Sequence, residues 1–403
     1  MRDFQELVEK FGDNLYEVGG CVRDYLMGIP HKDCDYVIEA TLEEFQEKFP
    51  AAISVGNHFP VFMFEKDGEL VEVALTRQEK SNGNGYHDFH VENIGVSIEE
   101  DLKRRDFSIN SIAKHYLTGK IIDPLNGQKD IEEKIIAVTN PKSFSDDPLR
   151  LIRACRFATR YGFVIPIGEM MDNADKIVYI SNDRIVAEFK KVVDEGSDFA
   201  TFISLLSVTN ILQYVFPDLY NLNFVCAGPE KYHGNKSAFH HTMDVVRRAQ
   251  ENGGNFSVIM SCLFHDIGKG ITPKELVEQG KHHGHEFESY RLLKNIVVEY
   301  PFDGYTRDLM LYCAKYHMKA HVMTNMRDRK LMEFYKGIPK KFYDDFFFMC
   351  NCDHEFTEKQ KLIKKKLDKM KDIVYDVDKI NKCRDKQVEV INQLVRFYVS
   401  MEV

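Results

Sequence analysis

Several common features are missing from this 403-residue chain, and each absence removes a class of function. No apolar run approaches the ~18 residues of a membrane-spanning helix, so no membrane role is expected. The opening, "MRDFQELVEKFGDN", is amphipathic and charged and lacks the apolar stretch of a secretion signal. The nine cysteines are scattered without a CxxC pair, which points to reduced thiols in a cytoplasmic protein. No internal repeat or low-complexity tract is present. Positive charge is also short: 54 Lys and Arg face 63 Asp and Glu, a net charge of −9. That balance excludes a uniformly basic coat for nucleic acid but leaves room for a local basic groove acting through its own field.

What is present describes a globular protein, with 44% hydrophobic and 29% charged residues. The length implies two or three domains. Of fifteen histidines, five precede residue 233 and ten lie from His233 to His354. Residues 1–140 alternate short β-rich runs with turns, and "EKDGEL" predicts a hairpin with an Asp-Gly turn. "SNGNGYHDF", residues 81–89, reads as a mobile loop. From about residue 145 the pattern becomes helical. Ile363, Leu367, Met370, Val374 and Val377 keep a helical period and predict one helix.

The stretch "GGCVRDYLMGIPHKDCDYVI" places Asp33 and Asp35 directly before an apolar run. In a strand, i and i+2 project from one face, so the pair presents two carboxylates side by side. Such like charges repel unless a cation lies between them. Carboxylate oxygens suit Mg²⁺, which bridges to substrate phosphates. Upstream, Gly20 and its neighbour let backbone N–H groups approach a triphosphate, and Arg23 supplies a fixed cation. The bland alternative is a loop with solvated aspartates. Glu72, in "LVEVALTR", has two equal readings, a third carboxylate near the metal or an exposed strand glutamate.

In "SFSDDPLRLIRACRFATR", Ser145 or Asp146 suits an N-cap and Pro148 the first turn. Arg150, Arg153, Arg156 and Arg160 then share a helix face, with Asp147 one turn ahead of Arg150. A carboxylate accepts from an exocyclic amino group, and a guanidinium donates to ring nitrogen or carbonyl. Cytosine and adenine carry that amino group where uracil and guanine present a carbonyl. An Asp/Arg pair therefore suits C and A. An arginine-rich helix with a solvated face is the alternative.

These motifs in this order resemble the nucleotidyltransferases of the DNA polymerase beta superfamily. The nearer likeness is to class II CCA-adding enzymes and bacterial poly(A) polymerases. The likeness also takes in "EDLKRRDFSINSIA" and "IIDPLNGQKDI" and extends from about Tyr16 to Asp353. It implies that Asp33 and Asp35 are catalytic metal ligands, with Glu72 a weaker third. It further implies that Asp147 and Arg150 read the base while Arg153 and Arg156 hold nucleotide and phosphate. Asp146 stands where the family usually has glutamate. Adjacent Arg104 and Arg105 are expected to point apart, with Arg105 on the triphosphate and Asp106 anchoring the loop.

"FHHTMDVV", "CLFHDIGKG", "HHGHE" and "CDHEF" resemble an HD phosphohydrolase domain. That resemblance implies metal ligation by His241, His265, Asp266 and Asp353. Imidazole with carboxylate suits Ni, Mn, Co or Zn better than Mg. His233, His317 and His321 are read as structural. The Lys-rich segment 359–371 admits an RNA-tracking role, but interleaved acids favour a solvated helix face.

The expected architecture is α+β: a polymerase-beta-like head over 1–140, a helical neck over 141–225, an HD domain over 226–355 and a helical tail over 356–403. The expected reaction adds C, C and A from CTP and ATP to a tRNA 3′ end, with phosphate-ester hydrolysis at the HD site. Mg²⁺ is expected in the head and a transition metal in the HD domain, in a monomer or homodimer. The rivals are a poly(A) polymerase, a dedicated A-adding or CC-adding enzyme, or an RNA-binding HD phosphohydrolase with an inactive head.

Overall fold

Alternating aromatic and β-branched residues near the N-terminus need a sheet that buries both faces. The computed structural model describes residues 3–30, 34–52, 60–81, 89–229 and 235–401. Its strands are β1 (Leu15–Val18), β2 (Asp35–Ile38), β3 (Val61–Lys66), β4 (Glu69–Leu75), β5 (Arg77–Ser81), β6 (Phe89–Ile94), β7 (Ala113–His115) and β8 (Ile121–Ile122). Six of them form one sheet in the order β3-β4-β2-β1-β7-β8, and β5 pairs with β6 separately. β2 and β4 run parallel with Tyr36 opposite Val73, whereas β1 is antiparallel to both β2 and β7. The predicted hairpin joins β3 to β4. Asp67 and Gly68 both take positive φ, 54° and 85°, as a tight primed turn requires.

One sheet face buries Tyr36, Ile38, Phe62, Phe64, Val73 and Leu75 under Phe4, Leu7, Phe11 and Phe45. The other packs Tyr16, Val18, Val37 and Ala113 against Ile98 and Leu102. Because residues two apart share a face, Asp35 belongs with Val37. It opens β2 and is exposed. Asp33 lies outside the described residues, as do His233 and positions 82–88 of the loop expected to be mobile.

Beyond the sheet the chain is helical. Backbone packing gives two compact units, Met1–Glu188 with Leu205–Val215, and Phe189–Ser204 with Phe216–Val403. The first ends in the helix Leu149–Tyr161 and the start of the helix Asn182–Asp194. The second is built of helices that include Ala238–Glu251, Phe256–Phe264, His285–Glu299, Gly304–His321 and Tyr343–Asp353.

The long tail helix predicted through Val377 is corrected. The helix Glu358–Lys369 ends at Met370, and Val374 and Val377 are 90% and 60% exposed. Ile373, Val374 and Tyr375 are weak helix formers. Asp376 then caps a separate helix, Val377–Lys382, by accepting from the Lys379 N–H.

Candidate active site and candidate metal centre

A pocket of 460 Å³ in the first unit gathers the head residues and the arginine helix. Gly19 and Gly20 open the helix Gly20–Leu26, and Gly19 has φ +73°, a conformation glycine adopts without strain. Gly20, Arg23, Asp35, Arg105, Asp147, Arg150, Arg153 and Arg156 all line this pocket, as the sequence predicted they should if they share a task. Eight arginines and four carboxylates line it in all, an excess of four positive charges in a chain of net −9. Such a cradle suits a polyphosphate.

Arg23 is held rigidly. Its Nε donates to Asp24 at 2.8 Å and its Nη1 to Asn110 at 2.5 Å, with the guanidinium 4.7 Å from the Tyr161 ring. Asn110 passes the linkage on by donating to Asp106 at 3.0 Å. Asp106 also takes both Nε and Nη2 of Arg153, at 2.9 and 2.6 Å. Burial raises the Asp106 pKa, but Arg153 and Asn110 outweigh it and lower it to about 2. Asp106 is thus the anchor expected of it.

Glu72 does not line the pocket. It is exposed on β4, one residue before Val73, which pairs with Tyr36. Carried one step back, that parallel register sets Glu72 beside Asp35 on the Val37 face. A carboxylate pair on neighbouring strands is a donor set of hard oxygens, the kind Mg²⁺ prefers.

Arg104 and Arg105 do not diverge. Both turn to the fully buried carboxylate of Asp101, with Nη2 at 2.8 and 3.0 Å, and both line the pocket. Asp101 stands three and four residues before them, so both side chains meet it at a helix end. Arg104 also reaches Glu79 at 3.1 Å, and Glu79 in turn accepts from Arg77 at 2.6 Å.

The cap of the arginine helix is likewise corrected. Ser143–Asp146 winds a turn of its own, and Asp147 is extended. Pro148 takes the N-cap position, and the Asp147 carboxylate just before it accepts the Leu149 N–H at 3.2 Å, so neither Ser145 nor Asp146 caps the helix. Arg184 braces the same carboxylate at 3.2 and 3.4 Å. Arg150 donates to the Ser143 hydroxyl and the Arg104 carbonyl, at 2.7 and 2.8 Å. Arg156 is buried against Glu188 at 2.7 Å. Arg184 and Glu188 lie four apart on one helix, a spacing visible in the sequence, but nothing there shows which helix they face.

In the second unit, seven side chains from several helices converge. His241 Nε2 lies 3.0 Å from Asp353 Oδ1, and His265 Nε2 lies 3.4 Å from the same oxygen. Asp266 Oδ1 lies 3.0 Å from His285 Nε2 and 3.6 Å from His317 Nε2. His321 reaches Asp353 Oδ2 at 2.7 Å. The predicted ligands His241, His265, Asp266 and Asp353 are therefore together. His317 and His321 are not bystanders, contrary to expectation, and His285 joins them. "HHGHE" marked that region without singling out His285. His317 and His321 share a helix face at i and i+4, a signal that stood in the sequence.

Backbone carbonyls fix the ring orientations. Nδ1 of His265, His285 and His317 lies 2.7, 2.7 and 3.1 Å from the carbonyls of Cys262, His282 and Cys313. Each Nε2 is thereby aimed inward, as metal-binding imidazoles require. Two triads have donor atoms mutually within 4.8 Å: His241, His265 and Asp353, and Asp266, His285 and His317. His265 Nε2 and Asp266 Oδ1 are buried without a hydrogen bond, which fits a cation-binding role. Burial works against charge on His265, yet Asp266 and Asp353 raise its pKa to about 10. Burial instead dominates His317 and lowers it to about 3.

Gly268 explains how Asp266 comes so close to His285. A Cβ there would meet the His285 carbonyl at 2.3 Å and the Ser289 nitrogen at 2.4 Å. Gly268→Ala is expected to destabilise the second unit by about 2–3 kcal/mol through overpacking. Urea unfolding should show a lower midpoint, and metal binding to the cluster should weaken with it.

The chain is similar to known proteins over both regions. Residues 15–137 match the Poly A polymerase head domain family, and residues 238–386 match the HD domain family. A multifunctional CCA protein of Pseudomonas fluorescens is 33% identical over 354 residues, covering 84% of each chain. One from Legionella pneumophila is 32% identical, covering 85% of this chain and 84% of its own. Among solved structures, an apo CCA-adding enzyme superposes with a TM-score of 0.69 at 20% identity, covering 98% of this chain and 93% of the other. The Thermotoga maritima CCA-adding enzyme bound to tRNA gives 0.67 at 20% identity, covering 99% and 92%. The structural likenesses establish the fold.

Proposed function

Because the chain belongs to the family of multifunctional CCA proteins, we propose that it adds C, C and A to tRNA 3′ ends from CTP and ATP and hydrolyses phosphate esters at a second centre. Asp147 and Arg150 lining one pocket with Asp35 is the observation that carries this reading. Within the two compact units, the proposed functional division is a head over 1–140, a selecting neck over 141–225, an HD domain over 226–355 and a tail over 356–403.

In the first centre the arginines bind the triphosphate. Arg23, locked by Asp24 and Asn110, meets it without reorganising. The tRNA 3′-hydroxyl attacks the α-phosphate, and pyrophosphate leaves. Asp33 and Asp35, with Glu72 beside Asp35, would hold Mg²⁺, which supplies charge neutralisation at the attacking and leaving oxygens. Asp147 accepts from the amino group of cytosine or adenine while Arg150 donates to the ring edge. Both are braced from behind by Arg184, Ser143 and the Arg104 carbonyl, so the template is set before the nucleotide arrives.

Asp147→Asn keeps an oxygen for the Leu149 N–H but adds an amide donor that suits a carbonyl. UTP rejection should then weaken about 10- to 100-fold, as a base-edge contact of ~1–3 kcal/mol implies. Single-nucleotide incorporation into tRNA lacking its CCA end, with each labelled nucleotide in turn, measures this. Unchanged preference would remove the helix from base selection.

In the second centre the two triads would hold Ni, Mn, Co or Zn, cations that favour imidazole with carboxylate. Such an ion supplies an activated water for attack on a 2′,3′-cyclic phosphate or phosphomonoester. Breaking the P–O3′ bond frees the 3′-hydroxyl that the first centre needs, the phosphate staying on O2′ when the ester is cyclic and leaving as inorganic phosphate when it is a 3′-phosphomonoester.

A further inference from the structure

Two groups of lysines stand out in the second unit. In the tail helix Glu358–Lys369 and just past its end, three of seven lysines are held in ion pairs: Lys361 with Glu358 at 3.1 Å, Lys364 with Asp368 at 2.5 Å and Lys371 with Asp344 at 2.6 Å. That pattern is a solvated helix face, despite the run of lysines in the sequence. A different group sits on the helices His285–Glu299 and Gly304–His321. Tyr312, Lys315, Tyr316 and Lys319 follow at i, i+3, i+4 and i+7 and form one stripe. Cys313, Ala314, His317 and Ala320 on the same helix are buried, so the stripe lies on the side away from His317 and the histidine cluster.

Along this stripe cations rest on aromatic faces. Lys294 and Lys315 lie 4.6 and 4.8 Å from the Tyr290 ring, and Lys319 lies 4.9 Å from the Tyr316 ring. Tyr312 and Tyr316 stack with centroids 4.7 Å apart. A groove of 400 Å³ continues from Tyr316 and Lys319 to Lys330. Glu333, the carboxylate lining that groove, accepts from Arg329 at 3.2 Å. Among the described residues, Lys294, Lys315, Lys319 and Lys330 have no carboxylate within ion-pair distance. In a chain of net charge −9, four such lysines gathered around tyrosines form a local exception.

We propose that this Tyr/Lys stripe is a docking surface for the tRNA phosphodiester backbone. Unneutralised lysines release counterions when they meet phosphates, and tyrosine faces offer flat contact to ribose and bases. A cation already seated over a ring is also ordered before binding. At the tail helix Lys361, Lys364 and Lys371 already sit on carboxylates, so those three have no counterions to release. This assignment rests on the reading of the chain as a tRNA-modifying enzyme, and it adds where the second unit holds that RNA.

The test compares two variants of the full chain: Lys294→Ala/Lys315→Ala/Lys319→Ala/Lys330→Ala on the stripe, and Lys361→Ala/Lys364→Ala/Lys371→Ala at the tail helix. Fluorescence anisotropy with tRNA lacking CCA is read over a salt series, and thermal melting checks the fold. The stripe variant should bind tRNA at least about tenfold more weakly at physiological salt, with the salt slope reduced in magnitude by about 3. Its CTP affinity and its turnover at saturating tRNA should stay within about twofold, so the loss appears in KM for tRNA. The tail variant should bind nearly as the parent does. A folded stripe variant with parental tRNA affinity and salt slope overturns the assignment, including the case in which the stripe serves an acidic protein. A parent that binds no tRNA would instead refute the functional reading beneath it.

Discussion

Asp35→Ala is expected to lower nucleotide addition by at least about a thousandfold, roughly 4 kcal/mol of lost transition-state stabilisation. Asp35 opens β2 on the exposed end of a sheet face, with the arginine cradle lining the same pocket. Removing its carboxylate takes away the group proposed to hold Mg²⁺ without touching the core, because its neighbours Tyr36 and Val37 do the packing. The tRNA affinity should therefore hold within about twofold, and the loss should fall on turnover. Asp33→Ala is expected to behave alike. Pre-steady-state incorporation of labelled CTP separates binding from chemistry. Turnover within tenfold of the parent in both variants would remove the pair from the metal-binding role.

His265→Ala/Asp266→Ala is expected to abolish phosphate-ester hydrolysis while leaving CCA addition within about twofold. The two residues belong one to each triad, so the double change strips both. A single change would leave buried partners uncompensated: Asp353 and Asp266 are both held well below the usual carboxylate range, against burial, with His265 a leading cause. Removing His265 and Asp266 together deletes a cation and an anion, which limits that penalty. The readout is release of phosphate or opening of a 2′,3′-cyclic phosphate after transition-metal addition to stripped protein. Hydrolysis surviving in the double variant would show that the chemistry resides elsewhere.

Local chemistry made much of this legible in the sequence. Asp67-Gly68 announced its hairpin because only a few residues tolerate two successive positive φ angles. The arginine stripe was visible because helical spacing alone puts Arg150, Arg153, Arg156 and Arg160 together. The HD pair and Asp353 came from resemblance, and the structure brings them to one place.

The remainder depended on which helices meet. His285, His317 and His321 become cluster members only when their helices are packed against the segment carrying Asp266 and Asp353. Arg184 gains its meaning from Asp147, thirty-seven positions away, and Glu188 from Arg156. The helix cap failed for a smaller reason. Asp146 ends a separate short turn, leaving Asp147 to accept the Leu149 N–H. Val374 and Val377 kept a helical period that the chain abandons, because period records which residues are apolar and not whether a partner surface covers them.

The claim that two independent centres serve one 3′ end has a direct test. A tRNA truncated before its CCA and ending in a 2′,3′-cyclic phosphate is incubated with the protein, CTP, ATP, Mg²⁺ and Ni²⁺, and its 3′ ends are sequenced. The parent should give CCA-ended product, Asp35→Ala unblocked but unextended tRNA, and His265→Ala/Asp266→Ala unchanged blocked tRNA. Blocked tRNA left untouched by a parent that extends the unblocked form would contradict that claim.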